Sequence, residues 1–502
     1  MSDIRQLFAK IQPKKWYAVA NGREPGIYTT WDEAQQQVNN FPGAVFKSFP
    51  TEEAAKEFLD EEPPPVPPKE SLSDYGLNKE QKDAFDAVVN GQSMFITGPG
   101  GTGKSYLLQT LYANFKGLTG KNLAITAMTG CAALLLGPWA KTLHSWAGIG
   151  IGRLPAESIA KTIATDSRKK KRWLQTDCLV IDEVSMLTPT LLEYLDQVGR
   201  IVRKCDKPFG GLQVVFVGDF YQLPPVSKEN DGLTFAFQSP LWSTVVTKTV
   251  QLTQILRQKD PIFQNILNEA RTGSLTAESY AILESRKTME WKRQEIKPTL
   301  LFTKNQDVSA INDAQLGKLT GEEHVFRAET TRAPRLPPEV LRTIVDKLDK
   351  DAPYELELCI KEKSQVMLLT NQDPAAGLVN GSRGIVTGFG KDGYPLVKFL
   401  NGPALPVRIP PAAWSSDSEK DGDGVTREQI PLRLAYALTI HKAQGASLDS
   451  ALIDVGPSTF EYGQAYVALS RVRSMEALYI FEIAQRAFRA HPAVKAFYGS
   501  LT

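Results

Sequence analysis

Short apolar runs punctuate the chain from about residue 77 onward. Met94-Phe95-Ile96-Thr97, Leu123-Ala124-Ile125-Thr126, Cys178-Leu179-Val180-Ile181 and Val214-Val215-Phe216-Val217 are nearly continuous in apolar residues. Alternating polar positions are missing from them, so they read as strands covered on both faces. Helical stretches separate the runs, and the pattern predicts an α/β architecture on a parallel sheet. Each run ends where glycine or polar residues begin, the carboxyl edge at which open parallel sheets bind ligands.

The first sixty residues follow a different pattern. Trp16-Tyr17-Ala18-Val19 and Ala44-Val45-Phe46 read as short strands. Thr30 is placed to cap a helix through Glu33 to Val38, and Thr51 to cap another reaching Leu59. Glu61-Glu62-Pro63-Pro64-Pro65-Val66-Pro67-Pro68 then fixes φ and removes donors, so an extended spacer divides this module from the rest. Ile4, Leu7, Phe8 and Ile11 open the chain as an ordinary amphipathic helix, with an organelle signal as the alternative.

Composition adds exclusions. No stretch approaches the ~18 uninterrupted apolar residues of a membrane helix and no leader is legible, so no membrane partner and an intracellular location are expected. The four cysteines at 131, 178, 205 and 359 form no Cys-x-x-Cys pair, against a disulfide framework or zinc site. The net charge of +2 announces no nucleic-acid partner, but it is unevenly placed. Residues 1–75 carry 8 basic against 12 acidic side chains, leaving an excess of six positive charges for the remainder. The run Arg168-Lys169-Lys170-Lys171-Arg172 reads as a solvated loop, with a DNA contact or nuclear address as the alternatives.

One strand leads directly into Gly98-Pro99-Gly100-Gly101-Thr102-Gly103-Lys104-Ser105, and a helical pattern follows it. Glycines let backbone amides turn inward around phosphates, and the helix start adds positive dipole. The Lys104 ammonium reaches the outer phosphates and the Ser105 hydroxyl ligates magnesium. A second strand ends in Asp182-Glu183. Asp182 suits magnesium held through water, and Glu183 suits accepting a proton from, or orienting, the water that attacks the γ-phosphate. These residues predict hydrolysis of ATP with Mg2+, without choosing what the energy drives.

The later motifs make that choice by resemblance. Leu77-Asn78-x-x-Gln81, Thr129-Gly130-Cys131-Ala132-Ala133, Thr142-Leu143-His144-Ser145, Gly218-Asp219-Phe220-Tyr221-Gln222, Leu252-x-x-Ile255-Leu256-Arg257-Gln258, Asn380-Gly381-Ser382-Arg383-Gly384, Thr439-Ile440-His441-Lys442-Ala443-Gln444-Gly445 and Tyr466-Val467-Ala468-Leu469-Ser470-Arg471-Val472-Arg473 stand in one order. From Leu77 to roughly Tyr498 the chain resembles the PIF family of DNA helicases in superfamily one. The resemblance implies an α/β fold with two RecA-like parallel-sheet motor domains and small insertions. The first would span 76–250, with an insertion near 146–172. The second would span 251–502, with a β-rich insertion near 391–430 that closes over the strand. By the same resemblance Gln81 reads the adenine edge, Gln222 senses the γ-phosphate, Gly445 joins the nucleotide set, and Arg257 and Arg471 neutralise the transferring phosphoryl group from the second domain. Thr129, His144, His441 and Lys442 are candidate contacts to strand phosphates; for His144 and His441 a packed structural role is an equal alternative. Movement from 5′ to 3′ on single-stranded DNA and opening of forked duplexes, by a monomer in genome maintenance, are implied, in the nucleus of a eukaryote or in a mitochondrion.

Within residues 14–61, Lys15-Trp16-Tyr17-Ala18-Val19, Gly26-Ile27-Tyr28-x-x-Trp31 and Phe41-Pro42-Gly43-Ala44-Val45-Phe46-Lys47-Ser48-Phe49 resemble the amino-terminal hybrid-binding domain of ribonuclease H, a small α+β module. Residues 62–75 form the linker. The resemblance makes Trp31, Phe46 and Lys47 candidates for gripping an RNA–DNA hybrid. Val45 and Ser48 stand where that family carries basic side chains, so an aromatic core kept for protein contacts is the alternative. Three functions stay open: a helicase, a nucleic-acid-dependent ATPase that remodels complexes without unwinding, and a hybrid-binding adaptor.

Overall fold

The computed structural model describes residues 16–21, 24, 26–38, 45–49, 51–52, 55–56, 75–137, 139–150, 154–225, 234–303, 305–332, 338–373, 376–415 and 425–501. The opening amphipathic stretch, the proline run and the charged segment Asp417–Asp423 lie outside them. The chain divides into two compact units, residues 1–76 and 77–502.

In the first unit, Gly26–Tyr28 and Val45–Phe49 flank Trp16–Asn21 in an antiparallel sheet. The helix Trp31–Val38 is capped as the sequence suggests: the Glu33 N–H donates to Thr30 Oγ1 at 3.4 Å. Val19 and Ala34 are fully buried between Tyr17 and Tyr28. Trp31 opens the helix, and Phe46 and Lys47 pair across the sheet with Val19 and Ala18.

The second unit holds two parallel sheets. The larger is ordered Lys141–Thr142, Leu123–Ala127, Cys178–Asp182, Gln213–Gly218, Met94–Thr97, Lys248–Gln251. Its central strands are buried from end to end except at Gln213, as continuous apolar runs require. The strand leading to the glycine loop lies beside Gln213–Gly218, and Cys178–Asp182 lies one further along. Gly98, Asp182 and Asp219 therefore leave the sheet at the same edge. The smaller sheet is ordered Ala437–Thr439, Thr299–Phe302, Ala451–Val455, Leu478–Ile483. Its core joins Leu301, Ile453 and Ile480 to Phe263, Ile266 and Leu267 of the helix Pro261–Thr272.

Four features differ from the sequence reading. The run at 168–172 is helical, not a loop: Ser167–Gln175 starts from Asp166, whose carboxylate accepts from the Arg168 and Lys169 N–H groups, and Trp173 buries its ring against Trp146. One cap and one buried indole outweigh the repulsion of five adjacent cations. The β-rich region is also wider than 391–430. Its strands begin at His324–Arg327 and continue to Leu432–Leu434, filling the interval between two neighbouring strands of the smaller sheet. Third, Gln251 completes the last strand of the larger sheet rather than opening the second lobe. Finally, the helix Pro492–Gly499 packs into the first lobe, although its sequence position suggested the second. Phe497 stacks on Phe237 at 4.2 Å, and Val494 and Tyr498 enter the core around Phe95, Phe220 and Trp242.

Candidate nucleotide site and strand cleft

The glycine loop takes shapes that only glycine adopts freely. Gly101 and Gly103 have φ of 91° and 82°. A Cβ at Gly101 would come within 2.7 Å of Arg257 Cβ, and one at Gly103 within 2.5 Å of Gln81 Nε2. The helix Lys104–Thr119 starts directly from the loop, so its unpaired N–H groups face the loop's concavity. Lys104 Nζ folds back to donate to Gly98 O at 2.6 Å and Pro99 O at 3.0 Å. Burial lowers the pKa of this ammonium, opposed by the carboxylates of Asp219, Glu183 and Asp182.

Gln81 is set by the start of its own helix. Asn78 caps Lys79–Val89: Asn78 Oδ1 accepts from the Gln81 N–H at 2.9 Å, and Gln81 Oε1 accepts from the Asn78 N–H at 3.1 Å. Gln81 Nε2 meanwhile donates to Thr102 O at 3.1 Å, tying this buried amide to the phosphate loop.

Asp182 ends its strand buried, and its carboxyl is pushed up to about 7, first by burial and then by the Glu183 charge beside it. A buried carboxyl that feels the charge of the loop lysine, with Ser105 in the first turn of the helix that follows the loop, fits a magnesium–nucleotide pair: Ser105 and Asp182 would hold the cation, and Lys104 and the loop amides the phosphates. Glu183 stands in the left-handed region, at φ 56° and ψ 45°, a conformation that costs a non-glycine residue energy and points to a fixed task for its side chain.

The second lobe meets this loop directly. The Gly100 N–H donates to Tyr466 Oη at 2.7 Å, and a Cβ on Gly100 would sit 3.6 Å from Ser470 Cβ. Arg257 lies on the connection between the lobes: its N–H donates to Gly101 O at 3.2 Å and its Nη1 to Ser470 O at 3.2 Å. Arg471 is buried with Nε donating to Val467 O at 2.8 Å and Nη2 to Ser470 Oγ at 2.6 Å. Burial first, then Arg257, lowers its pKa to about 10, while Glu183 pulls the other way. The two arginines are thus close enough to repel, in a place where a triphosphate would relieve the repulsion. Gln222 is buried, its N–H donating to Asp219 O at 2.9 Å.

One group around this site went unassigned in the sequence reading. Fully buried Asp219 is held by both Nε and Nη2 of Arg271, each at 2.8 Å, and takes a hydrogen bond from Tyr498 Oη at 3.3 Å. Tyr498 Oη also lies 2.5 Å from Thr97 Oγ1, and the Arg271 guanidinium sits 4.4 Å above the Tyr221 ring. Burial opposes the Arg271 charge, but Asp219 outweighs it and raises its pKa. Asp219 belongs to the motif Gly218-Asp219-Phe220-Tyr221-Gln222; Arg271 and Tyr498 carry no local signal, because they lie 52 and 279 residues along the chain from Asp219 and only the fold brings them to it.

Beside the phosphate site lies a cleft of about 590 Å³. The first lobe lines it with Thr129, His144 and Glu183, and the second with His441, Lys442 and Gln444; Ala352 of the inserted region also reaches it. All four strand-contact candidates therefore share one cavity, and Glu183 belongs to both sites. Burial lowers the pKa of His441, partly offset by Glu461. Trp31, Phe46 and Lys47 belong to the other compact unit.

Fold and site define a two-lobed phosphate-loop protein with a second cleft sharing its acidic residue. Residues 76–279 match the model for PIF1-like helicases, 346–389 that for the Pif1 2B domain, and 15–59 that for the ribonuclease H1 N-terminal domain. The chain is 39% identical over 429 residues to the human ATP-dependent DNA helicase PIF1, an alignment covering 85% of this chain and 64% of that one. It thus spans just under two thirds of that relative. The Pif1 helicase from Candida albicans superimposes with a TM-score of 0.71 at 34% identity, covering 85% of this chain and 99% of the other. A Bacteroides Pif1 helicase in complex with ADP-AlF3 and single-stranded DNA superimposes with a TM-score of 0.60 at 28% identity, over 84% and 97% of the two chains. The chain belongs to the PIF1-like helicase family, and its first module to the ribonuclease H1 N-terminal domain.

Proposed function

We propose that this chain is an ATP-driven helicase that moves 5′ to 3′ along single-stranded DNA and opens forked duplexes. The observation carrying this reading is the 590 Å³ cleft, in which both lobes supply hydroxyl, imidazole and ammonium groups suited to phosphate oxygens, with Glu183 in its wall. ATP with magnesium sits on the glycine loop. Lys104 holds the outer phosphates, Ser105 and Asp182 the cation, and Gln81 the adenine edge; Gly445 keeps the second lobe close to Glu183. Glu183 takes the proton of the attacking water. Gln222 reports the γ-phosphate, and Arg257 and Arg471 balance charge developing on it. Nucleotide binding draws the lobes together and hydrolysis lets them part; alternating grip by Thr129 and His144 on one side and His441 and Lys442 on the other turns this cycle into steps.

The reading extends to a chain that works as a monomer in genome maintenance, in the nucleus or a mitochondrion. Its first module directs it to RNA–DNA hybrids through Trp31, Phe46 and Lys47. The decisive test is unwinding of a duplex bearing only a 5′ tail, with ATP, beside one bearing only a 3′ tail. Opening of the first alone supports the proposal. Opening of the second alone overturns its polarity, and strand-stimulated hydrolysis without opening of either leaves a remodelling ATPase. Hybrid affinity equal in the whole chain and in a chain starting at Ser71 removes the targeting role.

A further inference from the structure

Gln444 occupies the turn after the helix Ile440–Ala443, in the wall of the strand cleft beside His441 and Lys442. It is 8% exposed. Its Nε2 crosses between the lobes and donates to Glu183 Oε2 at 3.0 Å, while its Oε1 is buried without a hydrogen-bond partner among the described residues. Such an orphaned acceptor is costly inside a protein and is tolerated where a donor is due to arrive. The turn is built to press on Glu183: Gly445 has φ of 81°, and a Cβ there would come within 2.8 Å of Leu135 Cδ1 and 4.0 Å of Glu183 Oε1. Arg471 braces the same turn from behind, Nη1 donating to Ala443 O at 3.5 Å and Ala446 O at 3.4 Å. One amide therefore joins the carboxylate of the hydrolytic site, the cavity for the strand and the arginine segment of the second lobe.

We propose that Gln444 is a strand-responsive latch on Glu183. Without DNA its N–H ties the carboxylate down and turns it from the attacking water. When a strand fills the cleft, base N–H donors satisfy Oε1, the amide swings toward the strand, and Glu183 is released to take the water's proton. Gln444 is a positioning residue, and its role rests on the reading of Glu183 given above.

The experiment measures steady-state ATP hydrolysis with and without single-stranded oligodeoxythymidylate for the wild-type chain, Gln444→Met and Glu183→Gln. Methionine keeps the length of the side chain and removes both hydrogen-bonding groups. The latch predicts that Gln444→Met raises the strand-free rate about tenfold, the loss of one hydrogen bond to a charged group, while the strand-stimulated rate changes less than about threefold, so the stimulation ratio collapses. A strand-free rate that stays constant or falls overturns the latch, whatever happens with DNA, because a bracing or orienting role lowers both rates together. Glu183→Gln separates the layers: loss of hydrolysis under both conditions upholds the reading of the site, and near-normal hydrolysis removes that reading and the latch with it.

Discussion

The two lobes of the second unit are built alike and equipped unequally. The first puts six parallel strands under the glycine loop and delivers Lys104, Asp182, Glu183 and Asp219 from strand ends at one edge. The second has four strands in its sheet among the described residues, and the β-rich region interrupts it between Thr299–Phe302 and Ala437–Thr439, which pair as neighbours. What the second lobe lays on the glycine loop is a short segment, Tyr466 to Ser470, set against Gly100. The difference teaches a division of parts: the glycine loop and the acidic strand end stand in one lobe, and the buried arginine segment and the other wall of the cleft in the second. Either lobe alone has half of each site, which is how a site between bodies couples binding to motion.

That division can be broken at its strongest point first. Lys104→Ala removes the first lobe's grip, and strand-stimulated ATP hydrolysis falls about 10³-fold; a loss under tenfold would mean that the loop is not where the chemistry happens. Arg471→Lys keeps a charge but loses the planar fork, and kcat falls about 10²-fold with KM for ATP within about threefold. A rise in KM at constant kcat would move Arg471 from charge completion to ground-state binding, and the lobes would no longer divide the work. Lys442→Ala removes one strand cation from the second lobe, and the slope of log affinity for single-stranded DNA against log salt drops by about 0.7. An unchanged slope takes Lys442 out of the cleft's grip.

The smallest effect sharpens the first lobe's part. Asp182 is pushed up to about 7 in the fold, chiefly by burial, against about 3.9 for a free side chain. The folded chain holds its proton more tightly than the unfolded chain, so the associated stability is present at low pH and is lost as pH rises through about 7. Without magnesium or nucleotide, Asp182→Asn melts increasingly above the wild type as pH goes from 5 to 8, in paired thermal scans. A gap that narrows over that range reverses the sign and shows that Lys104 pairing, not burial, controls the acid.

The glycine loop, its lysine and the acidic pair were legible because each is local: a strand, a turn and a helix start fit within a dozen residues, and their chemistry follows from residue type. The strand-contact candidates were legible as motifs, but their shared cavity was not, since Thr129 caps the helix Gly130–Leu136 in one lobe and His441 lies in the helix Ile440–Ala443 of the other. Arg168–Arg172 was misread because charge dominates its surface; Asp166 before it and Trp173 within it were the available signals for a capped, anchored helix. Arg271 and Tyr498 had none, since a buried ion pair depends on a partner that sequence distance conceals.

By itself, then, the sequence determined two α/β lobes, a separate small module and the strand–turn–helix setting of the glycine loop, because hydrophobic period and turn residues act over a few positions. Only the tertiary structure decided that the last helix closes the first lobe, that Asp219 is neutralised by Arg271, and that Gln444 reaches Glu183. Those contacts join residues tens to hundreds of positions apart, and their existence depends on which surfaces remain to be buried once the sheets have formed.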